Sequence, residues 1–187
     1  MSYLLPSAEK QREFVRDVKQ RGAPNITACY QCGKCTAGCP VAFEMDYPPN
    51  QVIRGVLLGM REAMLSSRTI WLCAACETCS TRCPQEVDPA AVMDALRRIA
   101  YAEGIRSPEQ DVPLFHRIFL GTVKQFGRVF EAGMMGFYNV FSGHLTQDLL
   151  MAPKLLLKGK ISLFPARNKH AKELKEMFAK AKELEAS

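Results

Sequence analysis

The chain has 187 residues, which is enough for about one domain with a hydrophobic core and a further segment. Hydrophobic residues make up 48% of it and charged residues 24%, a composition that excludes a disordered tail, a collagen-like repeat and a low-complexity linker. The formal net charge is +6, and most of the excess lies in residues 106–187, where thirteen basic residues face eight acidic ones. Residues 1–105 carry twelve basic and eleven acidic residues and are nearly neutral.

The first predicted helix covers about residues 8–21. Ser7 is a favourable N-cap, and Phe14 and Val18 fall on one face of the helix. Gly22 follows the last predicted turn and is a typical helix stop.

All eight cysteines follow this helix, in two segments with the same spacing. The shared pattern, C-x2-C-x2-C-x3-C-P, is typical of ferredoxin-type [4Fe–4S] clusters. Three thiolates separated by two residues can surround three corners of one cubane, whereas the fourth, which precedes a proline, is directed away from it. The first segment contains Cys29, Cys32, Cys35 and Cys39, and the second contains Cys73, Cys76, Cys79 and Cys83.

In two-cluster proteins with this pattern, the fourth cysteine of each segment ligates the other cluster. We therefore expect two [4Fe–4S] clusters whose fourth ligands are exchanged, an arrangement that holds the clusters close enough for electron transfer between them. The expected ligands of cluster I are Cys29, Cys32, Cys35 and Cys83. The expected ligands of cluster II are Cys73, Cys76, Cys79 and Cys39.

Three other uses of the cysteines are weaker. Two all-cysteine zinc sites would also need eight thiolates, but zinc sites usually pair two C-x2-C hooks, and here a third cysteine and Cys-Pro follow each hook. Disulfides between cysteines three residues apart are strained. Rieske ligation needs histidines beside the cysteines, and the three histidines all lie beyond Cys83. A zinc-stabilised structural adaptor remains as the alternative from another functional class.

Two more helices are predicted, one between the cysteine segments and one after them. The first begins near residues 48–50 and has an apolar face that recurs every four residues, formed by Val52, Val56, Met60 and Met64. The second begins with Asp88 as N-cap and Pro89 at the first helical position, and it ends at Glu103-Gly104. Its inward positions are Val92, Leu96 and Ile99.

No alternating strand pattern of useful length appears, so the sequence predicts a mainly α protein. We expect an α-helical ferredoxin domain over residues 1–105 and a helical C-terminal extension over residues 106–187. Within the extension, residues 106–165 are apolar and rich in glycine and methionine, which suits either packing on the core or docking on partner subunits. Residues 169–187 predict an amphipathic helix with a solvated lysine face and an apolar stripe formed by Leu174, Phe178, Ala181 and Leu184.

The sequence also argues against several other classes of protein. Residues 132–147, the longest stretch without charge, contain polar residues and are too short to span a bilayer, and Glu9 and Lys10 interrupt any signal peptide. We therefore expect a soluble, cytoplasmic protein with reduced cysteines. Two clusters would add about −4 to the formal charge, and no nucleic-acid-binding motif accompanies the basic residues, so no nucleic-acid partner is expected.

Signals of catalysis are missing as well. We find no dinucleotide fingerprint, no P-loop, and no nucleophile with a partnering histidine outside the cysteine segments. The sequence therefore predicts an electron relay without an active site of its own.

The two cysteine segments, with YPPNQVIR at residues 47–54 and KGKISLFP at residues 158–165, resemble the C subunit of heterodisulfide reductase. The resemblance extends from about Arg12 to Pro165. It implies an α-helical ferredoxin fold, two [4Fe–4S] clusters bound by the eight cysteines, and membership of an oxidoreductase complex that serves methanogenesis in some hosts.

In that family, the C subunit passes electrons from the flavin-bearing iron–sulfur A subunit to the B subunit. The B subunit reduces the disulfide between coenzyme M and coenzyme B at non-cubane clusters held by Cys-Cys-Gly motifs. The helical ferredoxin domain is also similar to iron–sulfur subunits of glycolate, fumarate and succinate dehydrogenases. This chain lacks the plant-type C-x4-C-x2-C segment of some of those proteins and the Cys-Cys-Gly repeats of others.

Overall fold

A computed structural model describes residues 6–147, 151–159, 161–162, 164–165 and 168–186. These residues form helices joined by turns and contain no strand, which confirms the mainly α prediction. The chain divides into two compact units, residues 1–110 and residues 111–187. The helices are α1 (Ala8–Gln20), α2 (Lys34–Ala37), α3 (Pro49–Leu57), α4 (Arg61–Leu65), α5 (Thr69–Leu72), α6 (Thr78–Thr81), α7 (Pro89–Ala102), α8 (Asp111–Phe126), α9 (Glu131–Ser142), α10 (Ala152–Leu157) and α11 (Ala171–Ala186).

The caps of α1 and α7 are those that the sequence predicts. The Ser7 hydroxyl accepts a hydrogen bond from the Lys10 backbone N–H, and the Asp88 carboxylate accepts one from the Ala91 N–H at 2.9 Å. Each cap satisfies a backbone donor that the first turn of a helix leaves free. The two longest helices of the first unit, α1 and α7, therefore begin at the capping residues that the sequence predicts.

The predicted continuous helix over Val52–Met64 is wrong. The chain forms α3, turns at Gly59, and starts again as α4. Gly59 has a φ of 74°, in the left-handed region, and a Cβ added there would lie 2.8 Å from the Cα of Gln11 in α1. The close approach of α1 thus requires both the turn and the glycine, and a four-residue periodicity cannot reveal either.

The core of the first unit lies between α1, α3, α4, α5 and α7. It also includes Ile26, in a 3-10 turn that leads to the first cysteine. The core holds α3 and α7 in place. The helices of the two cysteine segments, α2 and α6, pack against α3 and α7. Its largest fully buried side chains are Phe14, Ile26, Ile53, Met64, Leu65, Ile70, Met93, Leu96 and Ile99.

In the second unit, α8 packs against α9 and α11. The rings of Phe115 in α8 and Tyr138 in α9 meet edge to face, 5.9 Å between centroids. Many of its apolar side chains are exposed, so whether residues 106–165 serve as core or as a docking segment stays a prediction. The exposed ones include Leu120, Phe137, Val140, Phe141, Leu145, Met151, Leu157 and Phe164.

Among the residues that the structure describes, none of the helices combines the length and the apolar character that crossing a bilayer requires.

Candidate cluster-binding site

The eight cysteines line two cavities in the first unit. Cavity I encloses about 300 Å³, open solvent included, and cavity II about 400 Å³. Each cavity brings three cysteines of one segment together with the fourth cysteine of the other. The cysteines of cavity I are Cys29, Cys32, Cys35 and Cys83, and those of cavity II are Cys39, Cys73, Cys76 and Cys79.

The two cysteine segments share an unusual backbone conformation. Gln31 and Ala75, two residues after the first cysteine of each segment, have φ values of 61° and 49°. Gly33 and Glu77, two residues further on, have φ values of 77° and 57°. A non-glycine residue in this region costs about 1–3 kcal/mol. Within the described chain, three of the four non-glycine residues with positive φ lie in the cysteine segments, and the fourth, Glu86, comes three residues after Cys83.

A one-turn helix follows each loop. The helices α2 and α6 carry Cys35 and Cys79 at equivalent positions and pack against each other. Gly38 and Arg82, each one residue before the fourth cysteine, meet where they pack, and a Cβ at Gly38 would lie 2.8 Å from the Arg82 guanidinium. Cys39 and Cys83 directly follow these two residues, and each lines the cavity of the other segment.

The N-termini of α3 and α7 complete the cavity walls. Pro49 lines cavity II, Asn50 lines cavity I, and Pro89 lines both. The first turn of a helix carries a partial positive charge and free N–H groups. The α3 N-terminus therefore favours a negatively charged group at the cavities, whereas the Asp88 carboxylate already caps the N-terminus of α7.

A chain of side-chain hydrogen bonds reaches a cysteine of cavity I. Gln31 Nε2 donates to Cys29 Sγ at 3.3 Å, and Asn50 Nδ2 donates to Gln31 Oε1 at 3.5 Å. The Thr36 hydroxyl donates to Asn50 Oδ1 at 2.6 Å and accepts from the Asn50 backbone N–H at 3.1 Å. These contacts join the first cysteine loop, α2 and the start of α3.

A second polar cluster positions the approach to Cys73. The Asp46 carboxylate accepts hydrogen bonds from the backbone N–H groups of Tyr47, Arg68 and Thr69 at 2.9–3.0 Å, and from the Thr69 hydroxyl at 2.5 Å. Burial raises the pKa of Asp46, but these hydrogen bonds outweigh burial and lower it. The Asp46 carboxylate thus binds the N-terminus of α5, and Cys73 directly follows α5. Asp46 therefore helps to place a cysteine of cavity II.

The thiols differ in how easily they lose a proton. Burial raises the pKa of Cys35 and of Cys79, against opposing hydrogen bonds from Thr36 and Ser80. A hydrogen bond with Thr78 lowers the pKa of Cys76, which is exposed. Since iron binds thiolates, metal binding must itself supply the free energy that deprotonates the buried thiols.

The donor set fits iron–sulfur clusters. Four thiols surround each cavity, and thiolate is the ligand that [4Fe–4S] clusters require. The surrounding residues add helix N-termini and hydrogen-bond donors, which suit a negative charge. Within the described residues, no three Cys, His, Asp or Glu side chains lie so that they could hold a single metal ion.

Sequence reasoning located the eight cysteines but missed the residues that support them. Asn50 lies in the YPPNQVIR segment, whose resemblance to a known family predicts no role for the asparagine. Gln31 and Asp46 carried no signal, because their contacts join residues 19–23 positions apart. The KGKISLFP segment, residues 158–165, includes Lys160 and Leu163, which lie outside the described residues.

Comparisons with known proteins agree with this site. Residues 25–87, which span both cysteine segments, match the family described as the 4Fe-4S dicluster domain. The chain is 36% identical over 132 residues to the iron–sulfur C 2 subunit of the CoB–CoM heterodisulfide reductase of Methanocaldococcus jannaschii. That alignment covers 66% of this chain and 67% of the relative. The chain belongs to the family of heterodisulfide reductase C subunits.

Two further members of the family show how much of it is shared. The chain is 39% identical over 99 residues to the C subunit of the ferredoxin:CoB-CoM heterodisulfide reductase of Methanosarcina acetivorans, covering 53% of this chain and 38% of that one. It is 33% identical over 97 residues to the C subunit of the H(2):CoB-CoM heterodisulfide,ferredoxin reductase of Methanothermobacter marburgensis, covering 52% of each. The chain thus spans about half or less of the length of these two relatives. This chain is thus, like these relatives, an iron–sulfur protein with an electron-transfer role.

Proposed function

We propose that this protein binds two [4Fe–4S] clusters and is the electron-transfer subunit of a heterodisulfide reductase complex. Cluster I occupies cavity I and cluster II occupies cavity II, with the fourth ligands Cys83 and Cys39 exchanged between the segments. When bound, the clusters accept and release single electrons. The protein residues hold the clusters, limit their contact with water and present them to partner subunits.

The observation that carries this proposal is the composition of the two cavities. Each is lined by three cysteines of one segment and the last cysteine of the other. Strained loops, packed α2 and α6 helices, and two helix N-termini all converge on these cysteines. Such strain is retained where surrounding structure over-determines it, as at a functional site.

The exposure of the cysteines suits transfer to and from other proteins. Cys32 in cavity I and Cys76 in cavity II are exposed, whereas Cys35 is buried. Tyr30, whose side chain contacts that of Cys32, is 59% exposed. Each cavity therefore has one side at the protein surface, where a donor or an acceptor protein can dock.

We propose that the donor is the flavin-bearing A subunit and the acceptor is the B subunit. The B subunit reduces the disulfide between coenzyme M and coenzyme B, or a related disulfide, and consumes two electrons and two protons to give two thiols. On this proposal, the present protein supplies the electrons one at a time and has no active site of its own. The names of the relatives support it, because they are C subunits of CoB–CoM heterodisulfide reductases.

Four alanine variants test the exchanged ligation. Cys32→Ala and Cys83→Ala should alter the same component of the electron paramagnetic resonance spectrum of the reduced protein, since both thiols line cavity I. Cys76→Ala and Cys39→Ala should alter the other component. A spectrum in which Cys83→Ala resembles Cys76→Ala would show that each segment closes on its own cluster.

Purification of the native complex tests the relay. The complete complex should reduce the disulfide, the isolated chain should not, and a complex that carries Cys83→Ala should reduce it more slowly. Disulfide reduction by the isolated chain would contradict the relay. Co-purification with a dicarboxylate dehydrogenase flavoprotein, without a protein that carries Cys-Cys-Gly motifs, would place the chain in a different enzyme.

A further inference from the structure

We propose that Gln31 raises the reduction potential of cluster I by donating a hydrogen bond to the sulfur of Cys29, and that Asn50 and Thr36 are positioning residues for Gln31. This inference rests on the proposed binding of cluster I by Cys29. It assigns a role to Asn50 of the YPPNQVIR segment, and it distinguishes the two clusters from each other.

The hydrogen bonds run in one direction. The Thr36 hydroxyl donates to Asn50, the Asn50 amide donates to Gln31, and the Gln31 amide donates to Cys29 Sγ, over 2.6, 3.5 and 3.3 Å. A thiolate sulfur can only accept, so the last bond fixes the orientation of the Gln31 amide and, through it, that of Asn50. Successive bonds with the same direction polarise one another and strengthen the last donor.

The chain of bonds starts at a helix N-terminus. The Thr36 hydroxyl oxygen accepts the backbone N–H of Asn50, which is in the first turn of α3 and has no partner within the helix. The partial positive charge of the α3 N-terminus therefore lies at one end of this series of hydrogen bonds, and the Cys29 sulfur lies at the other end. Gln31 makes this contact from a backbone with a φ of 61°, a conformation that costs free energy for glutamine.

Cavity II lacks these residues at the corresponding positions. In the second segment Ala75 stands where the first has Gln31, and Ser80 stands where the first has Thr36. Ala90 follows Pro89 in α7 as Asn50 follows Pro49 in α3, and it lines cavity II. The Ser80 hydroxyl donates instead to Asp88 at 2.5 Å. At equivalent backbone positions, cavity I therefore has two hydrogen-bonding amide side chains and cavity II has two alanines.

The expected effect follows from charge. One-electron reduction adds one negative charge to a cluster and its thiolates, and no proton needs to be taken up. A hydrogen-bond donor stabilises the more negative state more strongly, and hydrogen bonds to the sulfurs are among the factors that set [4Fe–4S] potentials. Removal of the Gln31 donor should therefore make cluster I harder to reduce.

The test is a redox titration of the complete holoprotein, followed by electron paramagnetic resonance. Gln31→Leu removes the donor at nearly constant length, and Gln31→Asn keeps an amide that tolerates positive φ but is one methylene too short. For both variants we expect one of the two reduction waves to move to lower potential. A roughly tenfold fall in the equilibrium constant for one-electron reduction corresponds to about 59 mV.

Asn50→Ala, which copies Ala90, should move the same wave by a smaller amount. In the Gln31→Leu background it should add nothing, because its effect passes through Gln31. Ile99→Val shortens a buried side chain of α7 that lines neither cavity and should move neither wave. Thr78→Val removes the hydroxyl that lies 3.5 Å from Cys76 Sγ and should move the other wave only.

Two results would overturn the inference. If both Gln31 variants keep full iron and sulfide and neither wave moves, Gln31 does not tune cluster I, although the protein still binds its clusters. If Asn50→Ala shifts the wave equally with and without Gln31, Asn50 does not act through Gln31. A wild-type protein without iron and acid-labile sulfide would instead overturn the proposed function along with this inference.

Discussion

Asp46→Ala should destabilise the first unit and loosen Cys73. The Asp46 carboxylate accepts three backbone N–H groups and the Thr69 hydroxyl, and it thereby connects the segment after Cys39 with the start of α5. Thr69 is fully buried, so loss of the carboxylate leaves the Thr69 backbone N–H without its partner, while the Thr69 hydroxyl still donates to the Tyr47 carbonyl at 2.7 Å. Cys73, whose N–H donates to the Thr69 carbonyl, is the next residue along the chain after α5.

The expected cost follows from the contacts. Loss of a capping carboxylate costs about 0.5–2 kcal/mol, and the three backbone N–H groups that Asp46 accepts place it in the upper half of that range. For a chain of this size, 1 kcal/mol corresponds to about 2–4 °C in the unfolding midpoint. We therefore expect Asp46→Ala to lower the midpoint by about 2–8 °C at pH 7.

The effect should depend on pH in a defined direction. Because the folded state lowers the pKa of Asp46, the stabilisation is fully present above the unfolded pKa of about 3.9 and is lost as the pH falls through the lower folded value. The difference between wild type and Asp46→Ala should thus stay constant between about pH 5 and pH 8 and shrink below about pH 4.

The assay compares thermal unfolding of the holoproteins at a fixed scan rate with the rate at which a chelator removes iron. Glu44→Ala, which removes the same charge two residues away, is the matched control and should change neither quantity appreciably. Asp46→Ala should release part of its iron faster, since Cys73 belongs to cavity II. An unchanged midpoint together with unchanged iron release would refute the positioning role of Asp46.

Two further predictions concern the framework of the first unit. Gly59→Ala should cost about 2–4 kcal/mol, because the added Cβ meets both an unfavourable φ of 74° and the backbone of Gln11. Gly104→Ala, at a φ of 66° with no atom within 4 Å, should cost only about 1 kcal/mol. If Gly59→Ala and Gly104→Ala lower the free energy of unfolding in urea by the same amount, the close approach of α1 does not explain the need for glycine at position 59. Arg61→Met should cost about 1–2 kcal/mol, since Arg61 pairs with Asp17 and Glu103 and lies 5.2 Å from the Phe14 ring centroid. A loss no larger than that of the exposed control Lys10→Met would contradict this.

The parts of the fold that the sequence predicts are those governed by local chemistry. Ser7 and Asp88 cap their helices through contacts three residues away, so their positions are visible in the sequence. The break at Gly59 is different, because an isolated glycine within a helical pattern is usually tolerated. What decides there is the approach of Gln11, 48 residues earlier in the chain.

The same distinction applies to the site. Cysteine spacing predicts which residue types meet, because it reflects how closely a loop can surround one cluster. The roles of Gln31 and Asn50 depend on a left-handed backbone and on a contact between the first loop and α3. The spacing of the cysteines encodes neither feature. The corresponding positions at cavity II are Ala75 and Ala90, so a comparison of the two halves of the sequence does not reveal the contact either.

The most direct test of the central claim is the metal and sulfide content of the anaerobically purified protein. Two [4Fe–4S] clusters predict brown protein with about eight iron atoms and eight acid-labile sulfides per chain. Colourless protein with two zinc ions and no sulfide would contradict the account and identify the chain as a zinc-stabilised adaptor.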